Sequence, residues 1–209
     1  MAEDNLVYIL DGKIYINLTN RCTNDCVFCI RALKDTVGGA DLRLTSEQVK
    51  TDDVIEQLKR LKIKENDEII FCGYGEPLIK LEQVKEVAAF IKENYKGVKI
   101  RVNTNGMANM IHKRDVTPEL AGLIDAVSVS LNAQNEELYN KISRPKPEYK
   151  GTYARVKEFI WYCANAKIET TATVVEGFED YEVDVSQCEF IAKNLGATLR
   201  VRSWLPSGY

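Results

Sequence analysis

The 209-residue chain is 45% hydrophobic and 28% charged, with a formal net charge of −3, which suits one soluble globular domain over residues 1–209. That mild acidity nominates no nucleic-acid surface, and no apolar run approaches the roughly 20 residues of a bilayer span. The acidic start "MAEDNLVYIL" is unlike a secretory signal, so a cytoplasmic protein is expected, with its six cysteines as thiols or metal ligands.

The chain opens on "LVYILDGKIYINL", two alternating apolar runs joined by Asp11-Gly12, a pattern for a β-hairpin through a type I′ turn. Next, "SEQVKTDDVIEQLKRLKI" has helical spacing with Val54, Leu58 and Leu61 on one face. "DEIIFCGYGEP" reads as a buried strand and its exit loop, "KLEQVKEVAAFIKENY" as a helix, and "VKIRVNTNG" as a strand stopped by Asn-Gly. "TPELAGLI" predicts a short helix with Thr117 as N-cap and Pro118 at the first helical position. "DAVSVSLNA" is a strand, "GTYARVKEFIWYCANA" a helix and "KIETTATVVEG" a strand. "VDVSQCEFIAKNLG" is a helix ended by Gly196, and "TLRVRSWLP" a last strand. Six strands alternating with five helices predict parallel βαβ units with right-handed crossovers. Six is short of the eight in a closed barrel, so the expected α/β fold is an open, partial TIM-type (β/α)6 barrel with a short N-terminal hairpin.

In parallel α/β folds chemistry collects at the carboxyl ends of strands. The cysteine stretch "RCTNDCVFCIR", then "GYGEP", "NTNG" and "SLNA", follow four successive strands and would face one mouth. Cys22, Cys26 and Cys29 are spaced C-x-x-x-C-x-x-C among polar residues, where burial alone would not choose cysteine. Three thiols are one too many for a disulfide and one short of a tetrahedral structural zinc site. Three thiolates do hold three irons of a [4Fe–4S] cluster and leave the fourth iron open. A zinc module that borrows Asp25 or a distant group remains an alternative. Cys72, Cys163 and Cys188 lie in apolar-periodic segments and read as small buried hydrophobes, while His112, in "MIHKRD", reads as a surface loop residue.

These motifs resemble the radical S-adenosylmethionine (SAM) superfamily. C-x-x-x-C-x-φ-C with Phe28 before the last cysteine is similar to its cluster loop, and "GYGEP" to its GGE motif with Tyr74 at the first glycine position. "NTNG" and "SLNA" are similar to its third and fourth strand ends, and "SRPKPEYKGTYARVKEFI" to its Arg-then-Gly approach to the next helix. More narrowly, "INLTNRCTNDCVFCIR" in a chain this short resembles the TatD-linked radical SAM proteins. The resemblance implies an enzyme in which Cys22, Cys26 and Cys29 ligate a [4Fe–4S] cluster and the open iron takes the amino nitrogen and carboxylate of SAM. An external electron donor such as flavodoxin or ferredoxin would reduce the cluster. Reductive cleavage then gives a 5′-deoxyadenosyl radical that abstracts hydrogen from a substrate.

The backbone around Gly73, Tyr74 and Gly75, with the Glu76 carboxylate, would accept from the SAM ammonium. Thr104, Asn105, Ser130 and Asn132 offer hydroxyl and amide groups for the SAM carboxylate or ribose, and Arg144 a bidentate partner for that carboxylate. The turn "TVVEGFED" only partly matches the family's adenine-side motif, leaving Val175 for apolar contact. The alternative to an enzyme is an iron–sulfur electron or cluster carrier, which would need the cysteines but not the other motifs. The substrate is open among a small metabolite, a modified base and a glycyl-radical partner, and a second cluster is not expected. Arg200, Arg202 and Trp204 either merely cover the barrel edge, where charge is common, or line a laterally open cavity that admits an anionic or extended substrate.

Overall fold

A computed structural model describes residues 3–34 and 36–204. Strands β1 (Val7–Leu10) and β2 (Lys13–Ile16) pair antiparallel through Asp11 and Gly12, whose positive φ angles of 49° and 74° are what a type I′ turn requires. The cysteine loop follows, then helix α1 (Ile30–Leu33) and a hairpin of β3 (Thr36–Val37) with β4 (Ala40–Asp41). Next come α2 (Thr51–Lys59), β5 (Glu68–Phe71), a 3₁₀ turn at Pro77–Lys80, α3 (Leu81–Asn94) and β6 (Lys99–Thr104). The short helices α4 (Ala108–His112) and α5 (Thr117–Leu120) lead to β7 (Ala126–Ser130). The chain ends with α6 (Glu136–Ser143), α7 (Thr152–Asn165), β8 (Glu169–Glu176), α8 (Val185–Asn194) and β9 (Thr198–Ser203).

The main sheet has the order β1-β2-β5-β6-β7-β8-β9, parallel throughout except for β1 at one edge. Because β1 and β9 are the two edges, the ring of six parallel strands is open, as the alternation predicts. Successive side chains on a strand point to opposite faces. On one face Ile16, Phe71, Ile100, Val102, Val129 and Val174 are essentially inaccessible, and they join residues from α2, α3, α7 and α8 in one apolar cluster. Each such side chain contributes roughly 1.5–3 kcal/mol by burial. On the other face Tyr15, Arg101, Asn103 and Ser130 are polar and half-buried, while Ile70, Ser128, Thr173 and Val175 are buried, and this face lines a concave lumen. Helices confined to one face curl the sheet, and the polar lumen is the result.

Three sequence expectations change. The helix anticipated from Ser46 begins only at Thr51 because tertiary bonds hold the preceding segment extended. Lys80 Nζ donates to the Glu47 carbonyl at 2.7 Å, and Gln83 Nε2 donates to the Val49 carbonyl. Thr117 is the first residue of α5 and not its N-cap. Asp115 Oδ1 accepts from both its backbone N (3.0 Å) and its hydroxyl (2.8 Å), which draws the helix start back to Val116. His112 ends α4 instead of lying in a loop, half-buried with Nε2 2.7 Å from the Leu78 carbonyl.

Candidate active site

The cysteine loop is tied down on two sides. On one side it docks on the end of α6 and the segment after it. Asp25 N donates to Arg144 O (3.1 Å), Val27 N to Ile142 O (2.9 Å) and Lys146 N to Thr23 O (2.9 Å), while Asn24 bridges Pro145. Cys26 Sγ lies 3.5 Å from the Ser143 carbonyl. On the other side Asn105 Nδ2 donates to Thr23 Oγ1 (2.8 Å) and reaches Cys22 Sγ at 3.6 Å. Within the loop Cys29 N donates to Cys26 O at 3.1 Å, which closes a tight turn between the second and third cysteines.

All three thiols are half-buried. Burial pushes Cys22 up and Cys26 up to about 12, with the neighbouring cysteine sulfurs adding to the effect. Metal ligation needs thiolates, so loading this site releases protons. Arg31, whose guanidinium contacts the Asn24 carbonyl (3.2 Å) and Asp25 (3.1 Å), supplies compensating positive charge to Cys22 and Cys29. Among the described residues no three His, Cys, Asp or Glu side chains converge to hold a single ion. A cubane cluster attaches its cysteines to separate irons and so spreads them farther apart than one ion does. The all-sulfur donor set and its cationic neighbour Arg31 fit such a cluster.

"GYGEP" packs directly on this loop. A Cβ on Gly75 would lie 2.3 Å from the Thr19 carbonyl oxygen and 2.5 Å from that of Arg21, and one on Gly73 would lie 2.0 Å from Asn17 Oδ1. Glycine is required here for contact between two stretches of the chain itself, which sequence reasoning assigned to approach by a cofactor. Glu76 N donates to Arg21 O at 2.8 Å and completes the junction. Tyr74 is buried with Tyr8, Val37 and Leu42, in a cluster that Tyr15 packs against, and its hydroxyl donates to Lys34 O at 2.7 Å.

Glu76 is 2% exposed. Its Oε1 accepts from Leu78 N (3.0 Å) and Thr104 Oγ1 (2.7 Å), and its Oε2 from Asn105 N (2.7 Å). It therefore caps the 3₁₀ turn and bolts the ends of β5 and β6 together. Desolvation outweighs these hydrogen bonds and raises its carboxyl from the ordinary 4.5 to about 7. A carboxylate has about four acceptor sites, and three donors leave about one.

Thr104 and Asn105 are thus gathered around Glu76. Asn132, buried and at φ 61°, donates from Nδ2 to Ser143 Oγ at 3.0 Å, so it braces the segment that contacts Cys26. Ser130 is half-buried at the carboxyl end of β7. Arg144 is exposed and left-handed (φ 42°), and the group it offers the cysteine loop is its carbonyl. Val175 is buried on the lumen side of β8, paired in register with Arg202. Phe28 packs edge-on against Phe178 at 5.8 Å, and Trp204 against the same ring at 4.8 Å, so the cysteine loop and the end of β9 meet on one aromatic residue. Trp204 is therefore part of an aromatic bridge across the gap. Arg200 is exposed, Arg202 half-buried, and the remainder of the expected gap-lining stretch lies outside the described residues. Sequence reasoning missed Phe178, and the aromatics in "GFEDY" just past a strand end were its signal.

An open parallel barrel with three thiols and a glycine–glutamate loop fused at one mouth defines an iron–sulfur protein built to receive a small cofactor. The chain belongs to the radical SAM superfamily, whose model matches residues 16–185. Members of that superfamily are enzymes that use a [4Fe–4S] cluster and S-adenosylmethionine. The chain is 25% identical over 197 residues to a 7-carboxy-7-deazaguanine synthase of Methanocaldococcus jannaschii, covering 90% of this chain and 73% of that protein. It is 31% identical over 156 residues to the dual-specificity RNA methyltransferase RlmN of Phenylobacterium zucineum, covering 67% of this chain and only 38% of the methyltransferase. In fold it is similar to TYW1 with a lysine–pyruvate adduct bound, at a TM-score of 0.64, 15% identity and coverage of 92% and 64%. The Streptococcus suis protein SuiB bound to precursor peptide SuiA superposes at a TM-score of 0.60 with 16% identity, covering 91% of this chain and 39% of SuiB. Among the described residues no helix is long and apolar enough to cross a membrane.

Proposed function

We propose that this chain generates a 5′-deoxyadenosyl radical from SAM and directs it to a substrate held in the polar lumen. The observation that carries this reading is the junction of Cys22, Cys26 and Cys29 with Gly75, Glu76 and Asn105 through Arg21 and Thr23. A carrier would need the thiols but not a buried glutamate and glycine cradle beside them. Cys22, Cys26 and Cys29 would hold a [4Fe–4S] cluster, which once reduced would supply the electron for cleaving the sulfonium of SAM.

The remaining work belongs to the protein's own groups. The backbone at Gly73 and Gly75 stays free of side-chain bulk, and Glu76 keeps about one acceptor site for an ammonium. Thr104 and Asn105 are pinned by Glu76 and set the shape of the neighbouring wall. Ser130 and Asn132, at the next strand end, offer hydroxyl and amide contacts to the cofactor's polar edge, and Val175 offers an apolar surface for a planar base. The Phe28–Phe178–Trp204 bridge narrows the lateral opening and limits water at the mouth.

Resemblance of the cysteine loop supports a place among the TatD-linked radical SAM proteins. The acidic composition and the lack of any long apolar run support a cytoplasmic enzyme served by a flavodoxin or ferredoxin. The test is anaerobic reconstitution with iron and sulfide, followed by SAM and dithionite. Formation of 5′-deoxyadenosine and methionine is the expected result. A brown protein that leaves SAM intact would favour the carrier, and a colourless zinc-loaded one would exclude both.

A further inference from the structure

The lumen below the cysteine mouth carries charge that the radical chemistry does not use. Arg101 and Asn103 are alternate residues of β6, on the face opposite the apolar cluster. Arg101 has only 15% of its side chain exposed and pairs with Glu68 at 3.3–3.4 Å. Glu68 is already engaged more closely by Lys13 at 2.6 Å, and Arg101 Nε lacks an aligned acceptor. Asn103 Oδ1 is likewise buried without a donor. Across the lumen, Arg202 of β9 lies on the inner face in register with Val175. Cys72, half-buried just past β5, lies near all three: the Asn103 side chain, Arg202 and Arg101 each offset part of the rise that burial causes. An unaligned guanidinium donor beside an unpartnered amide acceptor on the inner face of the sheet is an incomplete set of hydrogen bonds. Native interiors rarely leave such groups idle.

We propose that Arg101, Asn103 and Arg202 form an anion-binding subsite in the lumen, and that the substrate is a small carboxylic acid carrying a hydroxyl or amino donor beside its carboxylate. This rests on the lumen being the substrate pocket. The carboxylate meets the planar guanidinium forks, for which Arg is better suited than Lys. The neighbouring O–H or N–H donates to Asn103 Oδ1. Arg101 lies deeper than Asn103 by two strand residues, about 7 Å, so the acid enters carboxylate first and leaves its other end toward the cysteine mouth. The subsite thereby decides which end of the substrate meets the radical.

Cys72 makes the subsite readable without turnover. In cluster-loaded protein, alkylation of Cys72 is followed by peptide mass spectrometry with negatively charged iodoacetate and with neutral iodoacetamide. The rate ratio is normalised to that of N-acetylcysteine, which cancels thiol reactivity. The expected ratio is at least five-fold above the free thiol, falling with added salt. Arg101→Met and Arg202→Met should each lower it by two-fold or more, while Arg101→Lys, which keeps the charge, should retain most of it, and remote Arg155→Ala should leave it unchanged. Glycolate should slow alkylation in wild type, and Asn103→Leu should weaken that protection at least five-fold. A ratio at or below that of the free thiol, no response to either Met variant, or no alkylation of Cys72 by either reagent overturns the proposal. Protection by inorganic phosphate tenfold stronger than by glycolate overturns the carboxylate assignment in favour of a phosphorylated substrate. None of these readouts needs SAM cleavage, so their failure is separable from failure of the radical chemistry.

Discussion

Glu76→Gln puts two opposing effects of the same side chain in competition. The ionised carboxylate receives three hydrogen bonds, from Leu78 N, Thr104 Oγ1 and Asn105 N, yet it is almost wholly removed from water. Its carboxyl sits near 7 instead of 4.5 because desolvation is the larger effect. The folded state therefore binds more protons than the unfolded state between those values. Stability from this group is fully present below about pH 4.5 and is lost as pH rises through 7, a change of roughly 3 kcal/mol. Glutamine mimics the protonated acid at every pH, since either orientation leaves its amide facing one backbone N–H. Urea unfolding of cluster-free, reduced protein at pH 5 to 8 should show the variant within about 1 kcal/mol of wild type at pH 5, from the near-equivalence of the two neutral groups. At pH 8 the variant should be the more stable by roughly 2–3 kcal/mol. Other titrations are common to both proteins and cancel in the difference. Should wild type instead gain on the variant as pH rises, the three hydrogen bonds outweigh desolvation, and the carboxylate is ionised throughout.

With the cluster loaded, the same variant should bind SAM about tenfold more weakly, the cost of one charged hydrogen bond, measured by equilibrium dialysis at pH 8. Gly75→Ala forces a Cβ onto the Thr19 and Arg21 carbonyls, so it should cost about 1–3 kcal/mol and halve or worse the iron retained after desalting, whereas Gly122→Ala, strained only by its φ of 83° and meeting no atom, should leave iron unchanged despite its stability cost. Cys22→Ala, Cys26→Ala and Cys29→Ala should each lose iron on anaerobic reconstitution, while Cys163→Ala and Cys188→Ala should keep a full complement. Tyr74→Phe removes the hydroxyl that donates to Lys34 O, so it should cost about 1 kcal/mol in urea and leave SAM affinity unchanged.

The barrel was readable because strand and helix periods differ so clearly in this chain, and because Asp11-Gly12 can hardly be anything but a tight turn. The β3–β4 hairpin escaped notice although Gly38-Gly39 lies between its arms, since two-residue strands carry no period to detect. Helix α6 was not anticipated, because its 8 residues give little more than two turns of apolar period, although Asn135 accepts from Leu138 N at its start. The three cysteines were legible from spacing alone. What Glu76 binds was not, because its donors come from Leu78, Thr104 and Asn105, and only the folded sheet brings the last two beside it. The lumen was in plain sight as the alternation K-I-R-V-N-T of β6, where every second residue is polar. A strand buried on both faces would not carry it.

The cysteine loop belongs to the first thirty residues, but what holds it does not. Cys26 touches a carbonyl 117 positions further along, and the loop's backbone bonds run to Ile142, Arg144 and Lys146. During synthesis the thiols leave the ribosome long before the segment that clamps them, and through that interval they are an open, unshielded chelator. Secure iron loading must therefore wait for more than two-thirds of the chain. Nascent chains stalled before Asn140 should exchange their iron freely with a chelator, while those released past Lys146 should keep it.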